Sequence, residues 1–488
     1  MKNAGRRQPD NNYNHYNNYN QEILRSTQND RSTTRQREAD NLTTITTLPM
    51  KFYSTNNPRH IVSLKDAVVK GLAPDQGLYM PTEIPVLPKE FFENLPNMSF
   101  REIGYEVIGA LFSGDLTQDQ INELVEHTLA FDAPLVKVEE DAYALELFHG
   151  PTLAFKDFGA RFCSKLMAIL MEGEERKIRV LVATSGDTGS AVANGFFKVK
   201  GVEVIVLYPK GKVSKLQEMQ FTTLGENVTA LEVDGVFDDC QTLVKQAFSD
   251  AELNQKMLLT SANSINVARW IPQCLYYFYA YSRLPKNNKK LAISVPSGNF
   301  GNLGAGILAE RMGLPIDTFI ASTNVNRVVP DFLEGNPFQS KPSVATISNS
   351  MDVGNPSNFS RLLALYGNDE KLFRSKVKGF YFDNQDTQRA MVQIKEETGY
   401  IMDPHGAVGY LGLRNYMKMN SGEYVGIFLE TAHPAKFKSV VDDTLGIDLP
   451  IPERLMAFMK GKKQVIQMGN SFGEFKRFLT TDFSDGHR

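Results

Sequence analysis

Ile178-Arg179-Val180-Leu181-Val182-Ala183-Thr184-Ser185-Gly186-Asp187-Thr188-Gly189-Ser190 is the stretch on which the fold turns. Its apolar run, Ile178 to Ala183, reads as a strand buried on both faces, and Ser190 to Lys200 reads as the helix that follows. The same unit recurs outward. Val202 to Leu207 is a strand and Lys215 to Leu224 a helix; Val228 to Val233 and Asp238 to Phe248 repeat the pair, before a long helix from Ile265 to Leu284. Leu291 to Val295 and a helix over 302–313 continue the pattern, then Ile316 to Ala321 and, much later, Tyr424 to Leu429. Strands alternating with helices predict parallel sheets covered on both faces, with ligands held by loops at the carboxyl ends of the strands.

Two glycine-rich loops occupy such ends: Ser185-Gly186-Asp187-Thr188-Gly189 and Ser297-Gly298-Asn299-Phe300-Gly301-Asn302. Glycines there let backbone amides face an anion, and the start of the following helix adds partial positive charge. The dinucleotide fingerprint G-x-G-x-x-G is missing, since the glycines of the second loop have the wrong spacing. Upstream, His149-Gly150-Pro151-Thr152-Leu153-Ala154-Phe155-Lys156-Asp157-Phe158-Gly159 sets one lysine among apolar and small residues. A desolvated amine is harder to protonate and so serves as a nucleophile toward an aldehyde. A reactive lysine with two anion cradles predicts an aldehyde cofactor carrying a phosphate, a description that pyridoxal phosphate meets.

Composition narrows the class. The 488 residues are 42% hydrophobic with net charge -3, enough chain for two or three domains and no basic excess for nucleic acid. No apolar run reaches membrane-span length. Cys163, Cys240 and Cys274 form neither a disulfide framework nor a zinc pattern, which predicts a reducing, cytoplasmic setting. No metal site is expected, because His60 and His127 lack partners at ligand spacing. Residues 1–49, rich in Asn and Tyr without apolar periodicity, are expected to be disordered or an over-called extension. Residues 50–134 predict a small N-terminal domain: a helix beginning at Ser63-Leu64, a loop over Gly77-Leu78-Tyr79-Met80-Pro81 and helix over 101–130. The α/β region spans 135–440, with a small domain at about 158–290, a large domain in the remainder and an irregular insertion at about 324–378. Residues 441–488 read as a proline-interrupted helical tail.

Four words, H-G-P-T-L-A-F-K-D-F-G, S-G-D-T-G-S-A, P-S-G-N-F-G-N and T-A-H-P-A-K-F, occur in this order, and from Met50 to about residue 470 the chain resembles threonine synthases of the bacterial and fungal branch. The resemblance implies an α/β enzyme of fold type II, the tryptophan-synthase-β type, with two parallel-sheet domains and a small N-terminal domain. It implies pyridoxal 5'-phosphate as cofactor and O-phospho-L-homoserine as substrate, converted with water to L-threonine and phosphate, in a monomer or homodimer.

Carried onto this sequence, it implies that Lys156 holds the cofactor aldehyde and shuttles protons. Gly298, Asn299, Phe300, Gly301 and Asn302 hold the cofactor phosphate, Thr431 places its hydroxyl at the ring nitrogen, and Asp187 lies near the ring. Ser185, Gly186, Thr188 and Gly189 bind the substrate carboxylate through their amides. Asp187 beside the cofactor's phenolic oxygen calls for a proton on, or shared with, its carboxyl when substrate is bound. For the substrate phosphate, Arg269 with Asn266 is the first candidate, followed by Arg161 and Arg361. Phe155, His149 and His433 stand beside these motifs with structural roles as good as chemical ones. Two other readings share the scaffold: a phospho-lyase yielding 2-oxobutyrate, and a catalytically silent relative.

Overall fold

The computed structural model describes residues 48–174, 178–286 and 288–481; the expectation for residues 1–49 lies outside them, save for Leu48 and Pro49. The predicted parallel α/β arrangement is present as two sheets. One has five strands in the order Ile466–Met468, Val228–Val233, Val202–Pro209, Ile178–Ala183 and Leu258–Ser261, every neighbouring pair parallel. The other has six, in the order Val377–Tyr381, Thr318–Thr323, Lys290–Pro296, Tyr424–Glu430, Ala142–Glu146 and Leu135–Glu139, parallel except for the last pair. The central strands are buried along their length, as continuous apolar runs covered by helices on both faces require.

The sheet order explains why distant words meet. Ala142–Glu146, Tyr424–Glu430 and Lys290–Pro296 are successive neighbours, so the loops leaving their carboxyl ends emerge side by side. Those loops carry Lys156, Thr431 and the second glycine loop. The first glycine loop leaves Ile178–Ala183 in the other sheet.

Several elements depart from the sequence reading. The helix expected at 190–200 is Asp187–Gly195, because Gly186, with φ 144°, turns the chain straight into it. The helix expected over 265–284 is broken into Val267–Trp270, a 3-10 turn Ile271–Gln273 and Cys274–Arg283, since Pro272 has no N–H to donate. That expected over 101–130 is two helices, Phe100–Phe112 and Gln118–Thr128, the second restarted by a Thr117/Gln120 capping box. The loop expected at 77–81 contributes the strand Tyr79–Pro81, paired antiparallel to Lys51–Ser54. Residues 324–378 hold the helices Val328–Leu333, Phe359–Leu365 and Glu370–Lys376 and run into the edge strand Val377–Tyr381. The tail is not wholly helical. Between helices Glu453–Met459 and Phe472–Thr480, Ile466–Met468 pairs with Leu231 to Val233 and adds a strand to the five-stranded sheet.

Candidate active site

Lys156 opens the helix Lys156–Leu170, and the loop before it is held in place on both sides. Phe155 N–H donates to the Thr431 carbonyl at 2.9 Å, and Ala154 bridges Ala432, so the end of strand Tyr424–Glu430 fixes where the lysine stands. Asp157 does not pair with Lys156: its carboxylate accepts from Thr152 N–H at 2.8 Å and Thr152 Oγ at 2.7 Å, closing the loop on itself. Leu153 within the loop has φ 57°, a conformation unusual for a branched residue and held here by the Gly150 and His433 backbone bonds around it. The Lys156 amine sits 5.7 Å from the centroid of the Phe155 ring and 3.7 Å from Asp187 Oδ2. Burial lowers its pKa; Asp187 opposes that, and the cations Lys436 and Arg269 reinforce it.

Asp187 lies in the first turn of helix Asp187–Gly195. Its Oδ1 accepts from Lys436 Nζ at 2.7 Å and from Gln217 Nε2 at 2.9 Å. Burial alone would push the carboxyl up, but Lys436, and then Lys156, hold it well below the usual carboxylate range. A second ammonium besides that of Lys156 therefore stands against this carboxylate. Of the expected amide donors in this loop, Gly186 and Gly189 N–H are already given to Thr184 Oγ, at 2.9 and 2.8 Å. The Asp187 and Thr188 amides, in the first turn of the helix, have no partner within it and are left for an anion. Ser185 is exposed at the mouth of the loop. Gly186 is required twice over, by its φ of 144° and because a Cβ there would lie 2.6 Å from the Gln217 side chain.

The second loop caps helix Gly301–Arg311 through Phe300, which takes a left-handed conformation at φ 60° while its ring joins the hydrophobic core. Asn299 Oδ1 accepts from Ser357 N–H at 3.3 Å. Asn302 Oδ1 accepts from the hydroxyls of Tyr276 and Tyr277 at 2.7 and 2.8 Å, while its buried Nδ2 has no protein partner among the described residues. At Gly298 a Cβ would stand 2.8 Å from Met351 Cα and 3.0 Å from the Ser350 carbonyl. That covering loop is pinned by His405, whose Nε2 accepts from Ser350 N–H at 3.1 Å while Nδ1 donates to Asp403 at 2.5 Å. First-turn amides, an unsatisfied buried amide nitrogen and a glycine with no room for a side chain suit a phosphate, and the nearby desolvated amine suits an aldehyde. Thr431 is buried at the same edge of the sheet.

The expected substrate-phosphate residues are engaged elsewhere. Asn266 is fully enclosed: Nδ2 donates to the Val68 and Ser261 carbonyls, both at 2.9 Å, and Oδ1 caps Ala268 N–H at 2.9 Å. It is a helix cap whose side-chain donors are both engaged by backbone carbonyls. Arg269 is 3% exposed, with one guanidinium nitrogen on the Ala262 carbonyl and Nε unpaired in the interior. In this position it acts on the Lys156 amine through space. Arg361 is fully buried, its guanidinium 4.6 Å from the Trp270 ring and bonded to backbone carbonyls. Arg161 Nε donates to the His127 carbonyl at 2.8 Å. Replacing Asn266 by alanine is expected to cost about 1–2 kcal/mol of stability through the lost cap and the orphaned carbonyls, with the apparent substrate affinity unchanged; a raised KM at wild-type stability would return Asn266 to the binding site.

His149 and His433 flank the Lys156 loop rather than the amine. His149 Nε2 contacts Glu146 at 2.8 Å, and His433 Nδ1 accepts from Ala435 N–H at 3.1 Å. Lys436 and Gln217 escaped the sequence reading. Lys436 carried a usable signal, being a second lysine in an apolar setting within T-A-H-P-A-K-F; Gln217 carried none, because its role depends on packing between neighbouring helices. Asp403-Pro404-His405 escaped it too: an N-cap followed by proline at the first helical position signals a helix start and not a loop anchor.

With this geometry in place, comparison with known proteins is specific. The family described as pyridoxal-phosphate dependent enzyme matches residues 128–429, threonine synthase N terminus matches 51–129, and threonine synthase, C-terminal, matches 406–479. The chain is 44% identical over 433 residues to the threonine synthase of Haemophilus influenzae, covering 88% of this chain and 99% of that one. Among solved structures, threonine synthase from Escherichia coli superposes with a TM-score of 0.82 at 41% identity, over 88% of this chain and 99% of that one. A pyridoxal-phosphate-bound threonine synthase from Brucella melitensis does so with a TM-score of 0.82 at 32% identity, over 88% and 98%.

Proposed function

Since the chain belongs to the threonine synthase family of pyridoxal-phosphate enzymes, we propose that it converts O-phospho-L-homoserine and water to L-threonine and phosphate, with Lys156 as the catalytic amine. The observation that carries the reading is the half-buried Lys156 amine, 3.7 Å from the Asp187 carboxylate that opens the helix after the first glycine loop. The reaction removes phosphate from Cγ and installs a hydroxyl at Cβ, so protons must leave Cα and Cβ, one must arrive at Cγ and one must return to Cα. Bound pyridoxal phosphate supplies the electron sink that makes the first of these removals accessible.

The remaining work belongs to the chain. Gly298 to Asn302 would hold the cofactor phosphate and Thr431 the ring nitrogen. The Asp187 and Thr188 amides would hold the substrate carboxylate at the start of their helix. Lys156, freed from the cofactor when substrate binds, takes the proton from Cα and then from Cβ. Its low proton affinity lets it deliver a proton at Cγ after phosphate leaves; water then adds its hydroxyl at Cβ and a proton returns to Cα. A neutral hydroxyl partner at the ring nitrogen restrains carbanion lifetime at Cα and so disfavours transamination; Thr431→Asp is expected to gain that side reaction.

The three cysteines are buried and unpaired, which supports a cytoplasmic setting; among the described residues no helix is long and apolar enough to cross a membrane. Incubation with O-phosphohomoserine and pyridoxal phosphate, following phosphate, threonine and 2-oxobutyrate together, tests the proposal. Equimolar phosphate and threonine are expected. Phosphate with 2-oxobutyrate makes the protein a phospho-lyase, and no phosphate at all leaves the scaffold without this substrate.

A further inference from the structure

We propose that Lys436 is a positioning residue of this site: its ammonium ties the Asp187 carboxylate, at an end of the five-stranded sheet, to the Thr152 carbonyl of the Lys156 loop, and so fixes the anion that faces the Lys156 amine. The inference deepens the function proposed above and rests on it for its catalytic meaning, though not for its geometry.

Lys436 Nζ lies 2.7 Å from Asp187 Oδ1 and 2.8 Å from the Thr152 carbonyl oxygen, and its side chain is 1% exposed. Lysines are almost never enclosed to that degree without a partner, and this one has two, drawn from opposite sides of the site. Asp187 is held from a third direction. Gln217 Nε2 shares Oδ1 at 2.9 Å, and Gln217 itself is braced by Ser214 Oγ at 2.9 Å and packed against Gly186, where no side chain fits. With Oδ1 occupied twice, Oδ2 is the oxygen that faces Lys156.

Two cations therefore compete for one carboxylate, and the distances decide between them. Lys436 holds the short contact at 2.7 Å and Lys156 the long one at 3.7 Å. Lys156 receives the smaller share of the stabilisation and gives up its proton more easily, as an amine that must attack an aldehyde and later shuttle protons has to. The charged groups around the pair are few. Asp187, Lys436 and Arg269 act on Lys156; Asp157 and His433 also feel Lys436. Asp157 is occupied by both donors of Thr152, so it does not compensate Lys156 directly. Without the Lys436 charge, Asp187 has Lys156 as its remaining cationic partner and strengthens that amine's hold on its proton.

The test uses the full chain freed of cofactor and follows capture of added pyridoxal phosphate across a pH series, by the visible absorbance of the lysine-bound cofactor. Borohydride reduction and peptide mass locate the adduct on Lys156. In Lys436→Met the pH of half-maximal capture rate is expected to rise by about one unit, making capture at neutral pH about tenfold slower. Adding Asp187→Asn to Lys436→Met removes both charges and is expected to return the midpoint to its wild-type value. Lys436→Gln keeps a donor for the Thr152 carbonyl and serves the same readout if the methionine variant does not fold. An unmoved midpoint in the neutral variants, even with a lowered melting temperature, overturns the proposal and leaves Lys436 a packing residue; so does a double variant that stays shifted. The readout needs only protein and pyridoxal phosphate. A wild-type protein that captures it yet makes no threonine therefore fails the functional reading alone.

Discussion

Lys156→Ala is expected to lower phosphate release from O-phosphohomoserine by at least about 10³-fold, because one substitution removes both the covalent anchor for the cofactor and the group that carries protons between Cα, Cβ and Cγ. No neighbour can take over. Lys436, the other amine on the Asp187 carboxylate, is committed to Asp187 and Thr152, and His149 and His433 contact Glu146 and the Ala435 amide. Folding should survive, since Asp187 keeps the Lys436 ammonium and taking away a half-buried cation relieves part of a desolvation cost; the melting temperature of the cofactor-free variant is expected at or above that of the wild type. Phosphate release within tenfold of wild type would sink the assignment of Lys156, whereas an unfolded variant would assign the lysine a structural duty that the geometry does not show.

The second large effect concerns stability. Arg361→Ala is expected to destabilise the protein by about 3–5 kcal/mol, read as a shift in denaturant midpoint, with the substrate KM unchanged in whatever folds. Arg361 is fully buried, and among the described residues it has no carboxylate partner. Its guanidinium donates to the carbonyls of Tyr79 at 3.2 Å and Ile265 at 3.1 Å, reaches Asn358 Oδ1, and stacks over Trp270. Burial pushes its pKa down to about 9, still high enough to keep it charged near neutrality. These bonds join the N-terminal strand Tyr79–Pro81, the turn before Val267–Trp270 and the start of helix Phe359–Leu365. Truncation leaves several carbonyls unpaired in a dry interior and a cavity beside the indole. A variant of wild-type stability with a raised KM would restore Arg361 as a phosphate ligand.

The same residue shows where sequence reading stops. Arg361 and Asn266 lie in or beside polar loops, and polar loop residues read as ligands; their donors are instead engaged by backbone carbonyls from distant parts of the sequence, Tyr79 and Val68, which only the folded chain brings within reach. Lys156 was legible because its environment is local: the apolar residues and glycines that desolvate it are its sequence neighbours. The Lys436–Asp187 pair was not, because it joins the loop after Tyr424–Glu430 to the loop after Ile178–Ala183, and these strands belong to different sheets. The fold follows the same division. Strands buried on both faces, such as Val202–Pro209, announce themselves as unbroken apolar runs. Tyr79–Pro81, Val377–Tyr381 and Ile466–Met468 are short strands, and their pairing partners lie far away in the sequence.

Ile466–Met468 also has a meaning in time. It pairs with Val228–Val233, and the side-chain contact between Gln467 and Glu232 spans 235 residues of sequence. A ribosome adding about 5–20 residues per second needs roughly 12–47 s to make that length of chain. Until then Val228–Val233 is the outermost strand of a nascent sheet, with unpaired N–H and C=O groups along its free side. The newborn chain thus carries an open β-edge through about half of its synthesis, and the last of the described strands to be translated closes it.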